Sequence, residues 1–69
     1  MKLSTRNQLK GTVTAVSLGG FMAEVTVDLG GGQQVVAAIT RGSAAELALA
    51  EGDEVVVLVK ATEVMLGKP

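Results

Sequence analysis

The sequence predicts an all-β domain with one short helix, its elements following one another as βββ-α-ββ. Three observations carry that prediction. Apolar and polar residues alternate with period two over much of the chain. Glycine clusters separate the alternating stretches, and one segment of helix formers interrupts them.

In the first strand Leu9, Val13 and Ala15 alternate with Lys10, Thr12 and Thr14, which puts the apolar set on one face of the pleat. Gly19-Gly20 supplies a hairpin turn. The second strand alternates most clearly: Phe21, Ala23, Val25, Val27 and Leu29 share one face, and Met22, Glu24, Thr26 and Asp28 the other. Gly30-Gly31-Gly32 joins this strand to a third, roughly Gln33 to Thr40. Because the triplet opens no helix, it reads as a hairpin and not as a phosphate loop. From Ser43 to Ala50 the pattern changes. Ser43 and Glu46 fit a capping box, and Ala44, Ala45, Leu47, Ala48 and Leu49 favour helix. Glu51-Gly52-Asp53 turns the chain into a fourth strand, about Glu54 to Lys60. A fifth covers Ala61 to Leu66, ahead of Gly67-Lys68-Pro69. Five strands with the helix between the third and fourth is the order of a small OB-like barrel.

Two of these strands are apolar on both faces, Val35-Val36-Ala37-Ala38-Ile39 and Val55-Val56-Val57-Leu58-Val59. A strand with one solvated face alternates instead, so the second face is expected to lie against another subunit. Size points the same way. The 69 residues form one domain, 1–69, near the lower limit of what folds unaided, and with no Cys there is no disulfide to help. A homo-oligomer is the expectation. Apolar residues make up 48% of the chain while Phe21 is the one aromatic, so the core is aliphatic, with Met22 and Met65 expected to serve packing.

Charge and motif content exclude several functions. The net charge is −1, and the cationic residues form no basic face of the kind that neutralises nucleic-acid phosphates. Without His or Cys, a transition-metal site of the usual kind has no ligands. A nucleophile also has no base beside it, so the chain is not read as an enzyme. The run Val55–Val59 is far too short to span a bilayer, and Met1-Lys2-Leu3-Ser4 lacks the apolar stretch of a signal peptide. Cytoplasm is the expected compartment, with no membrane partner.

The anion-friendly side chains gather in three short clusters: Ser4-Thr5-Arg6-Asn7, Thr40-Arg41-Gly42-Ser43 and Lys60-Ala61-Thr62. Hydroxyls, a guanidinium and an ammonium donate hydrogen bonds to a small oxyanion. Arg6 can grip two oxygens of a tetrahedral anion at once, and Lys60 supplies charge. Ser43 is expected to accept the helix-capping bond while its proton points outward, with Thr40 offering a second hydroxyl. The first helix amides add partial positive charge. Asn7 is read two ways, as a backbone partner at the strand entrance or as part of the site. Taken singly, these residues also have ordinary roles, Ser43 as a cap and Thr40 as a strand end. Lys2, Lys10, Arg41 and Lys68 are read as solubility charges.

The opening Ser4-Thr5-Arg6-Asn7-x-Leu9-x-Gly11-x-Val13 resembles the Ser-Ala-Arg-Asn-x-Leu-x-Gly signature of the molbindins. These are small cytoplasmic Mop/TOBE-type proteins that bind molybdate and tungstate. The resemblance continues through Ile39-Thr40-Arg41-Gly42-Ser43 and Leu47-x-Leu49-x-x-Gly52-Asp53. It closes with Val59-Lys60-Ala61-Thr62-x-Val64-Met65-Leu66, so it covers essentially the whole chain. It implies an OB-like barrel, hexamers built as trimers of dimers, oxyanion sites between subunits, and further sites near the symmetry axis. By position it implies Ser4 and Arg6 from the first block, Thr40 and Ser43 from the second, and Lys60 with Ala61 from the third. Thr5 replaces the usual Ala. Ala61 stands where some relatives have Ser, and so offers only its backbone amide.

The function expected from this reading is intracellular binding and storage of molybdate or tungstate, the anion being cargo and no cofactor being required. The alternative from another class is an OB-fold nucleic-acid-binding module. Such modules stack bases on aromatic side chains over a basic groove, and one Phe in a net acidic chain argues against it. A third reading is a sensing module that reports to a separate partner.

Overall fold

The computed structural model describes residues 1–69. Four strands form one antiparallel sheet: β1 Asn7–Leu18, β2 Met22–Gly30, β3 Gln33–Thr40 and β4 Glu54–Val59, in the spatial order β3-β2-β1-β4. A six-residue helix α1, Arg41–Glu46, sits between β3 and β4. β1 shares itself between two partners. Its first half pairs with β4, from Asn7 opposite Val59 to Thr12 opposite Glu54. Its second half pairs with β2, from Thr12 opposite Asp28 to Leu18 opposite Ala23. Staggered pairing of this kind shears the sheet and curls it into a half-barrel.

Two local devices produce the curl. The register of β1 against β2 shifts between Val13 and Ala15, leaving Thr14 as an extra residue that increases the twist. This bulge reverses the alternation. Val13 and Val16 face the core, and Ala15, expected inside, is exposed. The second device is Gly11, at the point where β1 changes partner. A Cβ there would lie 2.5 Å from Val27 Cγ1 and 2.8 Å from the Asp28 carbonyl oxygen, so only glycine lets the strands approach this closely.

The β2–β3 hairpin follows the expectation from its glycines. Gly31 and Gly32 take φ of +62° and +79°, the left-handed conformations of a type I′ turn, and Asp28 Oδ1 accepts the Gly30 amide at 2.8 Å. The β1–β2 connection closes with the Gly19 amide on the Met22 carbonyl at 2.7 Å. Phe21 therefore lies in the turn, 90% exposed, and not on the inner face of β2 as its phase in the alternation suggests.

The helix is shorter than expected and starts earlier. Thr40, not Ser43, is its N-cap, with Leu47 closing it. The Ala48 amide donates to the Ala45 carbonyl at 3.0 Å and the Leu49 amide to Ala44 at 3.2 Å. These two bonds form a Schellman motif, which ends the helix. Ala48 holds the left-handed position at φ 50°, where a Cβ costs about 1 kcal/mol. Ala48→Gly is therefore expected to stabilise the fold by up to about 1 kcal/mol, after its greater unfolded-state entropy. Chemical denaturation with an unchanged m-value checks this.

Residues 61–66 do not form a fifth strand. The Glu63 amide closes on the Lys60 carbonyl at 2.9 Å, giving one 3₁₀ turn, Ala61–Glu63. The residues that follow it join no strand. An extended segment without an adjoining strand has no ladder to join, and Val64, Met65 and Leu66 are exposed. Met65, expected to pack, is 91% exposed.

The core is thin. Val13, Val25 and Val27 form its centre, with Val16, Leu29, Ile39, Leu49, Val55 and Val57 packed half-buried around them. Ala23 and Ala44 complete the buried set of five residues. Val36 and Leu58, on the outer faces of β3 and β4, are exposed. The chain exposes 5564 Å², whereas a compact monomer of 7.0 kDa exposes about 4,000 Å². No helix is long and apolar enough to cross a membrane.

Candidate oxyanion site

The first and third donor clusters are brought together by the β1–β4 pairing. Asn7 stands opposite Val59, and its Nδ2 donates to the Val59 carbonyl at 3.0 Å. Of its two readings, the structure shows the backbone partner. That bond sets Ser4 and Arg6, just upstream of β1, beside Lys60 and Ala61, just downstream of β4. Gln8 Nε2 reaches back to the Thr5 carbonyl at 2.7 Å and fixes the lead-in. Ser4, Arg6, Lys60 and Ala61 are all exposed. Ala61 opens its 3₁₀ turn, so its amide has no partner within that turn. A hydroxyl, a guanidinium, an ammonium and a free amide thus share one end of the sheet.

The second cluster is organised by a hydroxyl pair. Thr40 Oγ1 accepts the Ser43 amide at 3.0 Å and donates to Ser43 Oγ at 2.7 Å. The capping role differs from the one expected for Ser43, while its outward proton does not. Thr40 caps the helix and spends its proton on Ser43, while the Ser43 hydroxyl keeps its own proton for an outside acceptor. Removing the cap by Thr40→Val is expected to cost about 1 kcal/mol of stability and to leave Ser43 unoriented. Thermal unfolding checks the first effect and anion titration the second.

Arg41 is not a free solubility charge. Its Nη1 donates to the Gly19 carbonyl at 2.8 Å and its amide to the Phe21 carbonyl at 2.7 Å. It ties the start of α1 to the β1–β2 turn and thereby fixes Thr40 and Ser43 in place. Nothing in the sequence marks this role, because a turn carbonyl accepts from any donor regardless of residue type.

The two groups of donors stand apart. Thr40 pairs with Met22 at the start of β2, next to Leu18, whereas Asn7 is at the other end of β1. Laid straight, twelve-residue β1 would span about 36 Å at about 3.3 Å per residue. No hydrogen bond links Thr40 or Ser43 to the other cluster. One chain therefore carries two separate groups of donors at opposite ends of its central strand.

A cavity of about 600 Å³ holds none of these residues. It surrounds the Gly11 crossing and is lined in part by Lys10, Asp28 and Glu54. With two carboxylates against one ammonium, it does not favour an oxyanion. No group of three or more His, Cys, Asp or Glu is placed to hold a metal ion.

Comparison with known proteins agrees with this architecture. Molybdenum-pterin-binding protein 3 of Clostridium pasteurianum is 42% identical over 66 residues, covering 96% of this chain and 97% of that one. A solved structure described as a molybdate-binding protein from Sporomusa ovata superposes with a TM-score of 0.92 at 47% identity. The match covers 99% of this chain and all of that one. The cytoplasmic molybdate-binding protein ModG, solved with molybdate bound, matches at 52% identity with a TM-score of 0.83. That match covers 88% of this chain and 43% of the longer ModG chain. The TOBE domain matches residues 3–66. With the strand order, the donor clusters and these relatives in agreement, the chain belongs to the TOBE domain family, alongside the Mop molybdenum-pterin-binding proteins.

Proposed function

We propose that this protein binds and stores molybdate or tungstate in the cytoplasm as a homo-oligomer, with each anion held at a subunit interface. One chain contributes Ser4, Arg6, Lys60 and the Ala61 amide, and a second contributes Ser43, oriented by Thr40. The carrying observation is the placement of donors. Asn7 on Val59 unites the first and third clusters, while the second lies at the other end of β1. A complete shell needs two chains. The exposed outer faces of β3 and β4 support the same assembly, which we take to be a hexamer built as a trimer of dimers. Molybdate binding is supported by the Sporomusa ovata structure, described as a molybdate-binding protein, and molybdenum as the element by the Clostridium pasteurianum relative, described as molybdenum-pterin-binding.

Directed hydrogen bonds explain how a chain of net charge −1 holds a dianion. Charge-assisted bonds from Arg6 and Lys60 are about twice as strong as neutral ones, and hydroxyl and amide donors select a tetrahedral shape. The role is binding and not catalysis, since the donors bear no nucleophile paired with a base. Isothermal titration with molybdate, tungstate and sulfate is the test. Saturable binding of the first two with little response to sulfate is expected. Absence of heat with all three, confirmed by equilibrium dialysis, would overturn the proposal.

A further inference from the structure

Several oxygens beside the donor clusters already accept hydrogen bonds from the chain itself. The Thr5 carbonyl, between Ser4 and Arg6 in the sequence, accepts Gln8 Nε2 at 2.7 Å. The Val59 carbonyl, next to Lys60, accepts Asn7 Nδ2 at 3.0 Å. The Lys60 and Ala61 carbonyls accept the Glu63 and Val64 amides at 2.9 and 3.4 Å. In the second cluster Ser43 Oγ accepts the Thr40 hydroxyl at 2.7 Å, and Thr40 Oγ1 accepts the Ser43 amide at 3.0 Å. The side chains of Arg6 and Lys60 take no part in these bonds and stand exposed. Acceptors near the clusters are thus engaged, while the charged donors are left open.

We propose that this internal use of acceptors restricts the site to tetrahedral oxyanions that carry no proton, and that Gln8 and Thr40 are the residues that set this specificity. The inference rests on the proposed function and names its ligand class more narrowly. Molybdate, tungstate and selenate bear no proton at neutral or mildly alkaline pH, whereas phosphate and arsenate keep a hydroxyl. Once the ligand leaves water, that hydroxyl needs an acceptor, and a donor left unmet weakens binding.

Gln8 lies outside the three donor clusters. Its amide covers the oxygen that stands between two donors. A carbonyl that already holds an N–H has one approach blocked and part of its lone-pair density drawn off. Left bare beside a dianion, the same carbonyl would also repel it. Thr40 acts in the same sense, because its proton fills one lone pair of Ser43 and leaves the serine to donate outward. The Ser4 hydroxyl makes none of these bonds and can still accept, so the exclusion is one of degree.

Selenate and arsenate make the test. At mildly alkaline pH both are tetrahedral dianions of similar size, and only arsenate bears a proton. Competition of each with molybdate is measured by equilibrium dialysis on the full-length protein. The unaltered protein is expected to favour selenate by about tenfold, the effect of one unmet hydrogen bond. Gln8→Met removes the donor and frees the Thr5 carbonyl. It is expected to weaken molybdate binding and to narrow the preference for selenate by about threefold or more. Gln8→Lys restores a donor and should recover the preference, and the added charge acts equally on two dianions. Thr40→Val should narrow the preference as well, and Thr40→Ser should keep it. A residue that only holds the lead-in to β1 would lower both affinities together and leave their ratio unchanged. An unchanged ratio in both Gln8→Met and Thr40→Val therefore overturns the proposal. Equal affinity of the unaltered protein for selenate and arsenate, with molybdate still bound, overturns it and leaves the proposed function standing. Failure to bind any of the three anions defeats the proposed function and this inference with it.

Discussion

Replacing Arg6 with alanine is expected to weaken molybdate binding by about a hundredfold or more. A guanidinium holding two oxygens makes two charge-assisted bonds, each contributing about 1.5–3 kcal/mol, and a factor of ten corresponds to about 1.4 kcal/mol. Arg6→Lys keeps the charge but loses the planar fork, so an intermediate loss is expected. Arg6 is exposed and lies outside the strands, so neither change should alter the unfolding midpoint by much. Titration of each variant measures the loss. A mixing experiment sharpens the result. In the proposed site Arg6→Ala spoils one half and Ser43→Ala the other, and the two residues lie toward opposite ends of β1. Oligomers refolded from an equal mixture should contain some sites with both halves intact and regain a fraction of wild-type affinity. Mixtures no better than either variant alone would mean that the site is built within one chain.

Gly11→Ala is expected to destabilise the fold by about 1–3 kcal/mol through overpacking, and Gly11→Val by more. The added Cβ meets Val27 Cγ1 at 2.5 Å and the Asp28 carbonyl at 2.8 Å. Val27 is a central core residue, buried to 2% exposure, and the carbonyl belongs to a paired strand, so neither can retreat cheaply. For a domain of this length, total stability by the usual per-residue range is only about 3–10 kcal/mol. The substitution therefore removes a large share of it. Urea titration followed by circular dichroism provides the measurement. Loss of molybdate binding is expected to track the unfolded fraction, because Gly11 itself touches no donor of the site.

Much of this architecture is legible in the residues. The alternation of Ala23, Val25 and Val27 identifies the buried face of β2, and the Gly30-Gly31-Gly32 triplet marks its hairpin. A helix appears between the third and fourth strands as expected, although it spans Arg41–Glu46 and ends before Leu47 and Leu49. The three donor clusters are also visible as clusters, and the match to the Mop-type pattern names the ligand class that the relatives share. These signals are local, depending on period, turn chemistry and short motifs, and local chemistry survives in the linear order of residues.

Other features depend on what is far away in sequence. The Thr14 bulge swaps Ala15 for Val16 on the inner face, because the register of β1 is set by β2 and not by its own alternation. Ser43 has the spacing of a cap, yet Thr40 takes that role once β3 delivers it to the helix start and the Arg41 amide bonds to Phe21. The segment after Lys60 has strand-like composition but finds no strand beside it, so it turns once and remains extended. The sequence by itself determined the element types, their order and the donors available. Only the tertiary structure decided that Asn7 joins the first and third clusters and that β1 holds the second apart, because hydrogen-bonded pairing across tens of residues leaves no periodic trace along the chain.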